Sequence, residues 1–306
     1  MKYSKVSIMI PTYNQEAFIE DAINSAITQD YPNLEIIVGD DCSTDRTGEI
    51  AIKYISDNRV KYFRNEKNLG RVGNYHHIAH NLATGEWAIN LDGDDYFTSS
   101  TFISDAMKIL STNMAKEKHI VAYCYKHPID RIQKEFEVER VNDNTILMSG
   151  KDYFLGYYKI KSFGHPNIIF NLTEGKAIEL YTLPYQACDF HSLMRLFLMG
   201  NIMLDNREVS HWRIHGGNTT LLESEDKQQQ AMLTFDALED FAKNYCSKED
   251  LILWRKHMNS SSYQDYVSTY VYTHKNAKAL LLLISHPKIS RAYLGQWKHF
   301  LFENTK

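Results

Sequence analysis

The feature that most narrows what this chain can become is an alternation running through its first 95 residues, where short apolar runs trade places with segments whose apolar residues recur at helical spacing. "VSIMI" (6–10) is the kind of run buried on both faces of a sheet, and Pro11 stops it. Ile19, Ala22, Ile23, Ala26 and Ile27 then repeat with helical period until "DYPN" ends the helix. "LEIIVGDD" reads as a second strand, "CSTDRT" as a helix start and "VKYFR" as a third strand. Val72, Tyr75, Ala79 and Leu82 form one face of a helix closed by Gly85, and "EWAINL" is a fourth strand. Parallel neighbours need a crossover, and a helix supplies it, so this order predicts a parallel, doubly wound sheet. Such sheets bind ligands at the carboxyl ends of their strands. Three of those ends carry polar clusters here: "PTYN", "DDCSTD" and "DGDD".

Beyond residue 98 the pattern predicts a helix over about 99–112, a strand "HIVAYCY" and an irregular charged stretch from 127 to 148. A helix over 190–199 ends at Gly200, two strands follow in "NIMLD" and "EVSHWR", and from about 224 the pattern is helical. We expect a domain over 1–222, with halves of about 1–98 and 99–222, and a helical extension over 223–306. With 306 residues, 43% hydrophobic and 24% charged, a sizeable core is available, while a net charge of −4 supplies no positive field to gather nucleic acid. Cys42, Cys124, Cys188 and Cys246 form no C-x-x-C pair and read as free thiols in a reducing compartment. The amino terminus shows no signal-peptide pattern, and the longest aliphatic run, "ALLLLI" (279–284), is far short of the ~20 residues of a membrane span. A cytoplasmic location is the expectation.

"INLDGDDY" (89–96) drives an apolar strand straight into three carboxylates, Asp92, Asp94 and Asp95. These repel one another, and leaving them unpaired at a half-buried strand end costs on the order of several kcal/mol, so a cationic partner is expected. Hard divalent cations, Mg²⁺ or Mn²⁺, suit such oxygen donors. An EF-hand loop does not fit, since Phe97 and Ile103 stand where that loop needs Gly and Glu. The plainer alternative is a solvated acidic turn capping a helix that starts near Ser99.

"VSIMIPTYNQEAFIEDAINSAITQDYPNLEIIVGDDCSTDRT", followed by "NLGRVGNYHHIAHNLATGEWAINLDGDD", resembles the family 2 glycosyltransferases over about the first 100 residues, with four motifs in order at the strand ends. The resemblance implies the A-type glycosyltransferase fold: a doubly wound, mainly parallel α/β sheet, here with a helical C-terminal extension. It also implies an inverting, metal-dependent enzyme that uses Mn²⁺ or Mg²⁺ to move a sugar from a nucleotide-diphosphate donor, a UDP-sugar, to a hydroxyl of a glycan or lipid-linked glycan. By that resemblance Pro11, Thr12 and Tyr13 pack around base and ribose, Asp41 meets the uracil, and Arg71 falls where a basic residue reaches nucleotide or phosphates. Asp92 contacts ribose and metal, Asp94 is the principal metal ligand, and Asp95 orients them. "QACDFHSLMRLFLMG" resembles the segment that opens a helix with the catalytic base, which makes Asp189 that base; Cys188 stands where the family usually has Glu. A helix N-cap is the plain reading of Asp189. "SHWRIHGGNTT" resembles the late R-x-H segment, a lid on the diphosphate, with Arg213 and with His215 as a further metal or phosphate contact. His165, in "KSFGHPNIIFN", receives no role.

Two rivals remain at this level. A sugar-nucleotide nucleotidyltransferase also uses a parallel sheet and paired Asp, but should carry a Gly-rich loop with a basic residue after the first strand, and "PTYNQE" has neither. A non-catalytic glycan-binding relative would have lost acidic residues, and Asp41, Asp92, Asp94 and Asp189 are intact. The tail adds one feature outside the motifs. Lys275, Lys278, Lys288, Arg291, Lys298 and Lys306 face a lone Glu303 after residue 274, while Tyr293, Leu294, Trp297, Phe300 and Leu301 recur at helical spacing. Such a helix suits peripheral contact with an anionic membrane at its inner face, or else packs on the domain.

Overall fold

The computed structural model describes residues 3–184, 187–216 and 227–273. The alternation unfolds as β1 (Val6–Thr12), α1 (Ile19–Ile27), β2 (Leu34–Asp40), α2 (Thr47–Ile52), β3 (Val60–Arg64) and α3 (Gly70–His77), the last running on through a π-helical turn at Ile78–Leu82, then β4 (Trp87–Asn90). Next come β5 (Tyr96–Phe97), α4 (Phe102–Met114), β6 (Ile120–Cys124), α5 (Ile129–Glu135), β7 (Glu139–Arg140), β8 (Thr145–Ser149) and α6 (Gly150–Ile160). A 3₁₀ turn at His165–Asn167 leads into β9 (Ile168–Asn171), followed by α7 (Leu172–Ala177), α8 (Cys188–Phe197), β10 (Asn201–Asp205), β11 (Ser210–His211), α9 (Lys227–Ala242) and α10 (Lys248–Thr273).

Among the described residues nine strands form one sheet in the order β3-β2-β1-β4-β9-β6-β10-β8-β7, and β5 pairs with β11 in a second. The first four in spatial order are parallel, as the crossover helices require. Every position of β1 and β2 is buried, because helices cover both faces. Alternate residues of β1 sort accordingly. Val6, Ile8 and Ile10 join Ile19, Ile23, Phe102 and Leu110 of α1 and α4 on one side, while Met9 joins Tyr75, Ile78 and Phe197 on the other. Helices α9 and α10 extend this second cluster, with the Trp254 ring stacked on Phe154 of α6 at 4.6 Å.

Two expectations are corrected. The stretch 127–148 is not irregular: it holds α5, β7 and most of β8, the charged residues lying on the outer face of a short helix whose Ile129 and Ile132 are buried. Residues 161–171, to which the sequence reading assigned no element, end in a strand. Strand β9 runs antiparallel between β4 and β6, with Ala88 opposite Phe170 and Tyr123 opposite Ile169. That insertion turns the entry of β9, and the 3₁₀ turn before it, toward the carboxyl end of β4. "EVSHWR" forms only a two-residue strand.

Candidate active site

The three polar clusters meet at the carboxyl ends of β1, β2 and β4. Asn14 takes a left-handed backbone (φ 52°), which asparagine tolerates, and its side-chain oxygen accepts from Thr44 N–H at 2.7 Å. Gln15 N–H reaches Thr47 Oγ1 at 2.8 Å and Asn14 N–H reaches Ser43 Oγ at 3.0 Å, so the segments after β1 and β2 are sewn together. Pro11 and Thr12 are buried and Tyr13 is exposed. Cys42 is also left-handed (φ 65°), just past Asp40 and Asp41, whose side chains make separate sets of bonds. Asp40 meets Arg64 at 3.0 Å and Tyr62 Oη at 2.6 Å. Asp41 is buried, and its Oδ1 accepts from Leu69 N–H (2.7 Å) and Asn65 Nδ2 (2.9 Å), which anchors the start of α3.

The acidic turn hangs from β1 by its backbone. Leu91 N–H bonds to Met9 O at 2.9 Å and Gly93 N–H to Pro11 O at 3.2 Å, while Asp95 N–H closes the turn on Asp92 O at 2.9 Å. A Cβ on Gly93 would lie 2.3 Å from Gln15 Oε1 and 2.8 Å from Thr12 Oγ1, so a larger residue here would displace this pair of side chains, bonded to each other at 2.7 Å. One carboxylate oxygen from each of Asp92, Asp94 and Asp95 lies within 4.8 Å of the others, the one such acidic group among the described residues. Burial first, then the neighbouring Asp92 and Asp94 charges, push Asp95 up to about 8. Asp92 is pushed up to about 6 by burial, opposed by the hydrogen bond from Tyr75 Oη and by Arg71, and reinforced by Asp94 and Asp189. Two neighbours from the segment after β11 reach the turn. His215 Nε2 sits 3.0 Å from Asp94 Oδ2 with its ring 4.6 Å from that of Phe18, and Arg213 gives its backbone N–H to Asp95 at 2.9 Å. The Arg213 guanidinium pairs with Asp21 at 2.8 Å and lies over the Phe18 and Tyr96 rings, directed to α1. Three hard oxygen donors, crowded and with no lysine ion pair among the described residues, fit a divalent cation.

Asp189 stands in the first turn of α8, whose cap is Ala187 with no side-chain capping bond, so the N-cap reading does not describe it. Its Oδ1 accepts from Phe190 N–H at 2.9 Å and lies 4.0 Å from Arg71 Nη2; its Oδ2 lies 4.0 Å from His165 Nδ1. Residues 178–181 pin the helix in place, through Tyr181 N–H to Ser192 Oγ at 2.8 Å and Arg195 to Glu179 O at 3.4 Å. Arg71 ties this end to the acidic turn: its guanidinium lies 5.5 Å from the Tyr75 ring centre, and Tyr75 Oη bonds Asp92. Burial works against the Arg71 charge, yet Tyr75, Asp189, Cys188 and Asp92 outweigh it and hold the group more basic than usual. Cys188 is buried with its thiol pushed up to about 11, chiefly by burial.

The structure thus brings Arg71, Asp92, Asp94, Asp95, Asp189 and His215 to one end of the sheet, with Asp41 at the foot of α3 behind them. Sequence reasoning missed Tyr75, which reads as a core residue on an apolar face, and His165, whose place depends on the unforeseen β9.

The family model described as glycosyl transferase family 2 matches residues 7–166. The poly(ribitol-phosphate) beta-N-acetylglucosaminyltransferase TarS of Staphylococcus aureus is 39% identical over 99 residues, 32% of this chain and 17% of that protein. The UDP-Glc:alpha-D-GlcNAc-diphosphoundecaprenol beta-1,3-glucosyltransferase WfaP of Escherichia coli is 29% identical over 217 residues, 70% of this chain and 79% of that one. In structure, residues 1–349 of TarS in complex with UDP-GlcNAc superpose with a TM-score of 0.66 at 19% identity, covering 93% of this chain and 80% of the other. The mannosyltransferase PcManGT of Pyrobaculum calidifontis, in complex with GDP-Man and Mn²⁺, gives 0.53 at 14% identity, covering 96% and 81%. At these identities the structural likeness is one of fold.

Proposed function

The chain belongs to glycosyl transferase family 2, and on that membership we propose that it is an inverting, metal-dependent glycosyltransferase moving a sugar from a UDP-sugar to a hydroxyl of a glycan or lipid-linked glycan. The observation that carries the reading is the convergence of the Asp92, Asp94 and Asp95 oxygens within 4.8 Å, on the same end of the sheet as Asp189. The name of WfaP supports a UDP-activated donor and a lipid-diphosphate acceptor, and the UDP-GlcNAc complex of TarS supports the same donor class.

In this reading Asp94 and Asp92 hold Mn²⁺ or Mg²⁺, with Asp95 behind them and His215 beside Asp94. Such an ion, when bound, offsets the negative charge that grows on the departing diphosphate. The rest falls to the protein. Pro11, Thr12 and Tyr13 enclose base and ribose, Asp41 meets the pyrimidine, and Arg71 supplies positive charge near the phosphates. Asp189 takes the proton from the acceptor hydroxyl as that oxygen attacks, and a single displacement by one hydroxyl inverts the anomeric centre. In the same reading the segment of Arg213 and His215 closes over the diphosphate as a lid. A transferase domain over 1–222 and an extension over 223–306 belong to the same proposal.

The test is metal-dependent UDP release from UDP-glucose, UDP-galactose and their N-acetylated forms, with Asp94→Asn alongside. Release by the wild type with Mn²⁺ and loss of both turnover and Mn²⁺-dependent UDP affinity in the variant are expected. Unchanged affinity in Asp94→Asn would remove the metal role.

The basic, aromatic tail over 274–306 lies outside the described residues, and among those that are described no helix is long and apolar enough to cross a membrane. From sequence alone we propose that the tail contacts an anionic membrane, where each basic residue near the surface adds about 1 kcal/mol. Co-sedimentation with anionic vesicles should occur at low salt and weaken on truncation at residue 286 with donor hydrolysis kept. Binding that the truncation leaves intact would refute it.

A further inference from the structure

Three buried rings stand between the acidic turn and the base. Tyr75 lies 5.4 Å from both His165 and Tyr181, and His165 lies 5.7 Å from Tyr181, centre to centre. Each ring carries a polar atom directed to a different neighbour. Tyr75 Oη donates a hydrogen bond to Asp92, Tyr181 Oη meets His165 Nε2 at 2.9 Å, and His165 Nδ1 faces both the Asn90 amide at 3.3 Å and Asp189 Oδ2 at 4.0 Å.

The proton on His165 follows from its partners. With Asn90 Nδ2 donating to Nδ1, a lone pair would point at the Asp189 carboxylate and Asn90 Oδ1, which is buried, would keep no partner among the described residues. Exchanging the amide's oxygen and nitrogen, which are not distinguished by shape, puts an acceptor against Nδ1 and leaves the amide nitrogen in the unpartnered place instead, so the choice falls to Asp189. Nδ1 then carries the hydrogen, aimed between Asn90 and Asp189, and Nε2 accepts from Tyr181 Oη. A negative carboxylate on that side favours this tautomer. The ring is neutral at ordinary pH, since burial pushes it down to about 4. The other charged or titratable groups around it are Arg71 and Tyr75 from α3, Asp92 beyond them, and Tyr181, Cys188 and Asp189 on the α8 side.

We propose that His165 is a positioning residue for the base: its Nδ1–H and the Arg71 guanidinium flank the two oxygens of Asp189, one on each, and hold the carboxylate toward the acceptor. The inference rests on the role of Asp189 proposed above. Asp189 is only partly buried; Phe190 N–H holds Oδ1, and without a donor beside Oδ2 the carboxylate is drawn to the Arg71 side alone, which turns Oδ2 away from the acceptor hydroxyl. Supporting partners of this kind are worth about 10- to 100-fold where they have been removed around other functional groups.

The experiment uses the full chain and three variants. His165→Phe keeps a ring against Tyr75 and Tyr181 but has no donor; His165→Asn keeps an N–H where Nδ1 stood; His165→Gln places its amide where Nε2 stood. UDP release from the UDP-sugar that the wild type turns over gives kcat and KM, and calorimetry with UDP and Mn²⁺ reports the donor end separately. We expect His165→Phe and His165→Gln to lose about 10- to 100-fold in kcat with KM for the donor and UDP affinity unchanged, and His165→Asn to recover most of the loss. Equal turnover in all three, or a loss of UDP affinity in step with kcat in all three, would overturn the positioning role while leaving the transferase reading standing. A wild type that releases nucleotide from no sugar nucleotide overturns the transferase reading and this inference with it.

Discussion

At the residue scale, chemistry was legible wherever it depends on neighbours in sequence. Asp92 and Asp94, with Gly93 between them at the end of an apolar run, announce an oxygen-lined point before any fold is known, and the turn they form gathers Asp95 as well. The resemblance put Asp189 at the start of a Leu- and Arg-bearing helix, and it stands in the first turn of α8. Tyr75 and His165 were not, because a tyrosine on an apolar helix face and a histidine in a loop look the same whether they serve a site or fill a core. For Asp189→Asn we expect UDP and Mn²⁺ to bind as in the wild type while turnover falls by about 10² or more, the usual share of general-base catalysis. Rapid-quench or steady-state UDP release measures it, and near-normal turnover would put the base elsewhere.

Among the elements, the strand-helix alternation up to β4 was readable because each piece has one unambiguous period, and the carboxyl ends of β1, β2 and β4 then had to converge. β8 and β9 escaped because four or five buried residues carry no period, and what makes them strands is the partner they meet: β10 for β8, and β4 with β6 for β9. The acidic turn illustrates how backbone pairing sets side-chain chemistry. Its two ladder bonds to β1 require the approach that Gly93 allows, with Gln15 and Thr12 in the way of any side chain. Gly93→Ala should therefore push the turn off β1, lowering Mn²⁺-dependent UDP affinity about tenfold or more while the far-ultraviolet circular dichroism is unchanged, since roughly 1 Å of misplacement can cost 10² in a site. Wild-type affinity in calorimetry would show that the turn tolerates the extra carbon.

For the whole molecule, buried titratable groups outside the site fix how acid affects stability. His127, buried between the Tyr125 carbonyl and the Tyr153 hydroxyl, and His191 on α8 are each held down to about 4, mainly by burial. The unfolded chain takes up those protons near pH 6.5, so stability falls as the pH drops from 6.5 toward 4. Glu35 adds a second window. Burial alone would raise it, but hydrogen bonds from Lys5, Ser7, Lys61 and the Thr84 backbone bring it down to about 2, and its contribution is lost between about 4.5 and 2. Asp95 and Asp92, raised to about 8 and about 6 at the acidic turn, act in the opposite sense, so the histidine contribution is read as a difference: the melting temperature of the wild type relative to His127→Gln should fall as the pH drops from 6.5 toward 4, and a difference that does not change with pH would contradict the buried neutral histidine. Strand β9 has a different consequence, one of timing. As a chain leaves the ribosome, β1 to β4 are complete by residue 90, yet the partner of the open β4 edge does not emerge until residues 168–171. Until then Trp87 to Asn90 present unpaired backbone along an apolar strand, the kind of edge on which nascent chains associate. The strands that carry the acidic turn are therefore translated first but keep one edge open until β9 arrives, and cutting the gene between β4 and β9 would release a piece with that edge permanently exposed.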